Sequence, residues 1–376
     1  LLALAFGAFG LATGEFVTLG LLPQIAGSVH VGIPAAGHLI SAYALGVVVG
    51  APLLTAVTVK LPRKGLLICL ALALAAGNLG SAAMPTFDSL LVLRFLSGLP
   101  HGAYFGVASV VAAGLVDQSR RGTAMAVVFS GLTIANIVGV PLTTLVGQHS
   151  SWRLVYSLIG GLEILAAAAI LVVVPADESR DEVARLRHEL RAFRNRQVWL
   201  SLGIATIGGG ALFATFSYIT PMMTGVTGYS TGAITPLLVL FGIGMTAGNA
   251  LGARLSDHAL MPTVYGALAA ETAIAALFFI TDRNMVTAAI TIVLFPMAAM
   301  AIIPALQSRL VTLAGGAPNL AAASMHSAFN IANSLGAWLG GLTIAAGYGY
   351  SATNLVASGL AALGLVIALG SARLRT

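Results

Sequence analysis

The feature that most constrains this chain is a recurrence. About twelve runs of mostly apolar residues follow one another through its 376 positions, and the short stretches between them hold most of the charge. Runs of this kind match the roughly 20 residues that an α-helix needs to cross the hydrocarbon of a bilayer. Within lipid each backbone N–H and C=O must be satisfied inside its own segment or by a closed barrel, so long apolar runs are read as helices. The expected fold is an all-α membrane protein with spans at 1–26, 34–58, 65–84, 89–115, 122–146 and 152–174, then 199–224, 231–253, 263–280, 285–310, 320–346 and 351–370. Composition removes the soluble alternative. Apolar residues make up 58% of the chain and charged ones 8%, against about 25% charged in an ordinary soluble domain, more apolar surface than one core can hide.

The few charges then set orientation. If the loops after the even-numbered spans face the cytoplasm, that side receives Lys60, Arg63, Lys64, Arg120, Arg121, the arginines of 180–196, Arg254 and Arg309, with Arg373 and Arg375 on the tail. The opposite side receives only Arg153 and Arg283. This bias predicts that both termini are cytoplasmic, and it accounts for the net charge of +6 without invoking nucleic acid. The polar interval 175–198 divides the spans into two sets of six. Val183, Leu186, Leu190 and Phe193 recur in it at helical spacing, so it reads as an amphipathic linker along the inner surface, between a bundle at 1–174 and a second at 199–376. The chain begins at Leu1 rather than Met, so a short cytosolic start is expected ahead of it; the opening run lacks a charged head and a cleavage site and reads as a span rather than a leader. Cys69 is the one cysteine, which excludes a disulfide or thiol-rich metal site, and no cofactor or metal is expected.

Against this background Glu15 stands out, because it lies in the first run and an ionised carboxylate is expensive in hydrocarbon. Such a residue lines an internal path or pairs with helix partners. A nearby positive charge favours its ionised form and a less polar cavity its neutral form, the property a proton carrier needs. Arg94, about six residues into the fourth span, is the second costly charge, and His101 follows seven residues later on the same helical face. His101 reads as a packing hydrogen bond or as a proton relay, and His38 has a weaker claim of the same kind. Glu163 and Glu271 are also near mid-span. In the eleventh span His326, Asn330 and Asn333 share a face; these, and Asn136 in the fifth, either bind a polar substrate group or knit helices together. Thr13, Phe16, Tyr43, Tyr104, Phe213, Phe216 and Tyr218 offer weakly polar and aromatic cavity walls.

The halves also repeat. Gly46 and Gly50 are followed by Lys60, and Gly244 and Gly248 by His258, each ten residues after the second glycine, and small residues four apart let helices approach closely. Duplicated bundles around a midplane site suit alternating access.

On these residues the chain resembles the major facilitator superfamily, and within it the twelve-span drug/proton antiporters and their sugar-efflux or chloramphenicol-exporter branch. Thr13-Gly-Glu15-Phe16 with Gly20-Leu-Leu-Pro23 is similar to that branch's first-helix signature. Arg94 with Gly98 and Gly102 is similar to the arginine motif of the fourth helix, and Gly139-Val-Pro141, flanked by Gly131 and Gly147, to the antiporter motif of the fifth. The gating signature between the second and third helices is partial: Thr55, Val59 and Pro62 replace a glycine, an aspartate and a second glycine, while Lys60, Arg63 and Lys64 keep the basic residues. Its counterpart in the second half keeps Arg254 and Asp257. The resemblance implies two pseudo-symmetric six-helix bundles, a coupling or structural role for Arg94, a sealing contact at Gly139 and Pro141, and a peripheral place for Glu163 and Glu271.

The expected function is proton-coupled export of small amphipathic compounds or drugs by a monomer in a bacterial cytoplasmic membrane, its partners being substrate, protons and lipid. Sugar or metabolite efflux is the alternative within transporters, and a passive channel or ligand-gated receptor the alternative outside them. An enzyme is not expected, since no phosphate-binding loop or metal-ligand cluster is present in the sequence.

Overall fold

The computed structural model describes residues 1–58, 61–117, 120–175, 194–313 and 318–374, with side-chain placement for all of these but 55–56 and 318–323. Most of the predicted linker, 176–193, and Lys60 lie outside the described residues. Contacts divide the chain into two compact units, Leu1–Gly32 with Ala42–Val183 and Ile33–Ser41 with Ala184–Thr376.

In the first unit, α1 (Leu2–Gly20) is followed by the short α2 (Leu22–Ser28), α3 (Ile33–Thr58, whose opening turns belong to the second unit), α4 (Arg63–Ala83) and α5 (Phe87–Gly114). The fifth span is α6 (Arg121–Ile134), a π-turn over Ala135–Gly139 and α7 (Val140–His149); α8 (Trp152–Val173) is the sixth. The second unit runs α9 (Arg196–Phe216), the short α10 (Ile219–Gly225), α11 (Ile234–His258), α12 (Leu260–Thr281), α13 (Met285–Met300), α14 (Ile302–Leu313), α15 (Pro318–Ala345) and α16 (Ala352–Arg373). Among the described residues eleven spans are long and apolar enough to cross a membrane, and α15, at 28 residues, is long enough to be the twelfth. The chain is an integral membrane protein. Val172, Ile280 and Val366 are largely exposed, a liability in water and an ordinary lipid-facing surface in a bilayer.

The units repeat one pattern of pairing. In the first, α1 packs on α6 and α8, and α4 on α8; in the second, α9 packs on α15 and α16, and α12 on α16. The glycine repeat marks a further equivalent pair. A Cβ at Gly46 would strike the Phe95 carbonyl and one at Gly50 the Leu99 backbone, joining α3 to α5; Gly244 and Gly248 meet Val293 and Met297 in the same way, joining α11 to α13. Close backbone approach of this kind replaces the hydrophobic drive that lipid removes.

The structure also interrupts spans that hydropathy reads as continuous. The first predicted span ends as a helix at Gly20 and resumes at Leu22; the seventh ends at Phe216 and resumes at Ile219. Each short second piece opens near a proline, Pro23 or Pro221, whose missing N–H costs little in a first turn. At Gly139 and Pro141 the chain does not break: the helix widens by one π-turn and continues.

Candidate functional site: a buried charged cluster in the first unit

Close packing of α3 on α5 builds the site. Gly98 of α5 sits against the Tyr43 carbonyl and Gly46 against Phe95, so Tyr43 is delivered to the face of α5 that carries Arg94 and His101. Those two are seven residues apart, two turns along one helical face. The Tyr43 hydroxyl lies 3.0 Å from His101 Nδ1, and the two rings meet edge-on. On its other side His101 presents Nε2 to Glu15 Oε2 of α1 at 3.8 Å, while Phe105 tilts against the imidazole. Glu15 is 6% exposed and His101 wholly buried.

Arg94 completes the cluster by stacking rather than by a carboxylate contact. Its guanidinium carbon lies 4.2 Å from the centre of the Tyr43 ring and 5.4 Å from that of Tyr156, with Nη2 turned toward the Gly14 carbonyl at 3.4 Å. The Tyr156 hydroxyl in turn lies 2.7 Å from Thr18 Oγ1. A cation over aromatic faces is worth about 2 kcal/mol or more when desolvated, which offsets only part of the cost of burying it.

Attraction and burial cost are of similar size within the cluster. At 3.8 Å, ionised Glu15 and protonated His101 attract by about 4 kcal/mol at an effective dielectric near 20. The desolvation that opposes this is also several kcal/mol.

Other residues singled out in the sequence have other surroundings. Thr13 is buried, donates to the Phe9 carbonyl of its own helix at 2.7 Å and fills the space opposite Gly139. Phe16 is buried, and Tyr104 donates from α5 to the Leu4 carbonyl at 3.2 Å and fills the notch at Gly7. Asn136 sits in the π-turn with Nδ2 on the Leu132 carbonyl at 3.0 Å, and Gly102 packs on Ala51. Pro141 is buried at the start of α7, Arg63 opens α4, and Arg254 and Asp257 stand exposed at the end of α11. In the second unit Phe216 stacks on Phe241 at 4.0 Å, Asn330 Nδ2 donates to the His326 carbonyl at 3.0 Å, and Asn333 is buried one turn further along α15.

Sequence reasoning missed three features. Tyr156 and Thr18 are uncharged hydroxyls, and a hydroxyl inside a helix usually bonds its own backbone, so spacing gives no sign of a cross-helix pair. Arg309, expected on the cytoplasmic side as an orientation marker, is 1% exposed; its Nη2 donates to Gln197 Oε1 at 2.6 Å and to Ser371 Oγ. Thr215 Oγ1 donates to Asn354 Oδ1 at 2.8 Å, a tie between α9 and α16 built wholly from neutral residues.

Comparison with known proteins decides the family. The model of the Major Facilitator Superfamily matches residues 4–341. The inner membrane transport protein YdhP of Escherichia coli is 40% identical over 375 residues, covering 99% of this chain and 96% of that protein. The chain belongs to the Major Facilitator Superfamily. It is a membrane transporter and not an enzyme. A chloramphenicol resistance protein of Streptomyces lividans is 34% identical over 98% of this chain and 93% of that protein. The solved structure of the nucleoside transporter NupG aligns over 98% of both chains with a TM-score of 0.75 at 13% identity, which shows a shared fold.

Proposed function

We propose that this superfamily member is a proton-coupled antiporter of the bacterial inner membrane that exports small amphipathic compounds, and that it belongs to the drug/proton branch. The observation that carries the reading is Glu15: a carboxyl in a membrane span, 6% exposed, within 3.8 Å of a histidine that a tyrosine joins to a buried arginine. The inner-membrane relative and the chloramphenicol resistance protein support the location and the substrate class.

In the cycle, Glu15 takes a proton from the outside as substrate leaves, and gives it up inside as new substrate arrives. His101 and Tyr43 steady the carboxyl between these states, and Arg94 favours its ionised form. The residues proposed to contact the compound are Thr13, Phe16, Tyr43, Tyr104 and Asn136 in the first bundle and, taken separately, Phe216, Asn330 and Asn333 in the second. The close contacts at Gly50, Gly98, Gly102 and Gly139, with Pro141, let helices slide without losing their seal, and Lys60, Arg63, Arg254 and Asp257 hold the inner end. The protein works as a monomer of two bundles, 1–174 and 199–376, joined by the cytoplasmic segment 175–198. For each net positive charge carried inward the membrane potential supplies about 2.3 kcal/mol per 100 mV.

Purified protein in vesicles under an inward proton gradient, screened with amphipathic drugs and with sugars, tests the reading. Saturable drug movement that reverses with the gradient is the expected result. Movement of sugars alone would transfer the case to metabolite export, and flux that neither saturates nor reverses would indicate a channel.

A further inference from the structure

The transport cycle above leaves one buried carboxyl of the first unit without a task. Glu163, midway along α8, is wholly buried, and neither of its carboxyl oxygens has a hydrogen-bond partner among the described residues. Its place is specific. A Cβ at Gly10 would lie 3.0 Å from Glu163 Oε1, so the carboxyl fills a notch in α1 that only glycine leaves open.

The notch is one of three. Gly7, Gly10 and Gly14 follow at helical spacing along α1, and each is filled by a polar head from a different helix: the Tyr104 hydroxyl from α5, the Glu163 carboxyl from α8 and the Asn78 amide from α4, the last 3.2 Å from a Cβ at Gly14. Arg94 reaches the same stripe, since its Nη2 lies 3.4 Å from the Gly14 carbonyl, about one helical turn from Gly10. Arg94 Nε and Nη1 have no hydrogen-bond partner among the described residues. A buried carboxyl that lacks a donor and a buried cation with two of its three nitrogens lacking an acceptor thus meet α1 about a turn apart.

We propose that Glu163 is a second proton-binding group of the transporter: it carries its proton in the arrangement described here and releases it when it pairs with Arg94. An ionised carboxylate without donors in hydrocarbon costs far more than a neutral acid, so the unpartnered carboxyl is the protonated form. Pairing with a bidentate guanidinium reverses the balance. On release the carboxyl O–H bond breaks, its electron pair stays on the carboxylate, and the proton passes to water. The titratable groups that feel Glu163 are Tyr104 on α5 and Tyr43 on α3, and Tyr43 is in turn the shared neighbour of Arg94 on α5, Glu15 on α1 and Tyr156 on α8 itself. From α4 the nearest polar group is Asn78, the charged residues of that helix lying in its first turn, and α7 offers only His149 at its exposed end. Arg94 is the buried positive charge among these elements, since Arg63, Lys64 and Arg153 stand at helix ends.

The proposal deepens the proton-coupled reading, but its test needs neither substrate nor transport. Infrared spectra of the full chain in lipid vesicles, recorded while pH alone is varied, report protonated carboxyl C=O bands one by one. Among the bands that wild type loses as pH rises, Glu163→Gln is expected to remove one and Glu15→Gln another. In Arg94→Gln the Glu163 band should persist to a pH at least one unit higher, a tenfold weaker release of the proton, and Arg94→Lys should restore most of the wild-type behaviour. Glu163→Asp, with a shorter but still titrating group, covers the case in which the glutamine variant fails to fold. A Glu163 band that never titrates would make it a permanent packing acid and overturn the proposal. So would a band whose titration is the same with and without the Arg94 charge. Loss of proton-driven transport in Glu15→Gln is a separate measurement, so failure of the antiporter reading and failure of this one are distinguishable.

Discussion

A single hydroxyl separates the two jobs of Tyr43, which stacks under Arg94 and bonds His101 Nδ1 at 3.0 Å. Tyr43→Phe keeps the stack and removes the bond. A net hydrogen bond of about 1 kcal/mol corresponds to a several-fold effect, so proton-driven transport should fall about five- to tenfold while the thermal midpoint shifts little. An unchanged rate would mean that His101 is positioned by packing alone. Outside the spans, Asp282 at the end of α12 is wholly covered, and burial pushes its carboxyl above the ordinary carboxylate range, with Arg283 opposing. The folded state therefore holds the Asp282 proton more tightly than the unfolded chain does. Its contribution is fully present below the ordinary carboxylate pKa and is lost as pH rises through the raised one. The protection of amides in the turn at 281–285, taken relative to the intrinsic exchange rate at each pH, should accordingly fall from acid to neutral pH, and Asp282→Asn should flatten that dependence.

Between elements, the α3–α5 contact positions the charged cluster, because Gly46, Gly50 and Gly98 let two backbones touch. Gly50→Ala puts a methyl into the Leu99 backbone, which cannot yield as a side-chain tip can. Overpacking of this kind costs roughly 1–3 kcal/mol, and the variant should lower the unfolding midpoint and transport together. Loss of transport with an unchanged midpoint would point to a gating role instead. This scale also separates what was legible in the sequence from what was not. The spans and the paired glycines could be read because hydropathy and four-residue spacing are local. The breaks after Gly20 and Phe216 were not readable as breaks, since both pieces of each span are equally apolar and only tertiary packing decides where the helix yields. The π-turn over Ala135–Gly139 was hidden for the same reason: its extra residue answers Thr13 and Phe9 of a neighbouring helix. Of the site, the costly charges Glu15, Arg94 and His101 stood out against lipid. Tyr156 and Thr18 carry no charge and gave no signal, and Arg309 looked like a loop cation because its partners, Gln197 and Ser371, are more than 60 positions away.

At the scale of the whole molecule, the asymmetry of arginine and lysine between alternate loops predicts that both termini face the cytoplasm. In a variant lacking Cys69, cysteines placed at 60–64 and within 175–198 should react only with reagents that enter the cell, and external labelling of both regions would reverse the topology. In the proposed cycle Glu15 carries the proton that drives export. Glu15→Gln keeps the shape and polarity of the side chain and removes its titration, so uphill, pH-driven accumulation of a transported drug in reconstituted vesicles should fall to the level of vesicles without a gradient, while passive exchange and binding persist. Uphill transport at the wild-type level, with the same proton flux, would contradict the account.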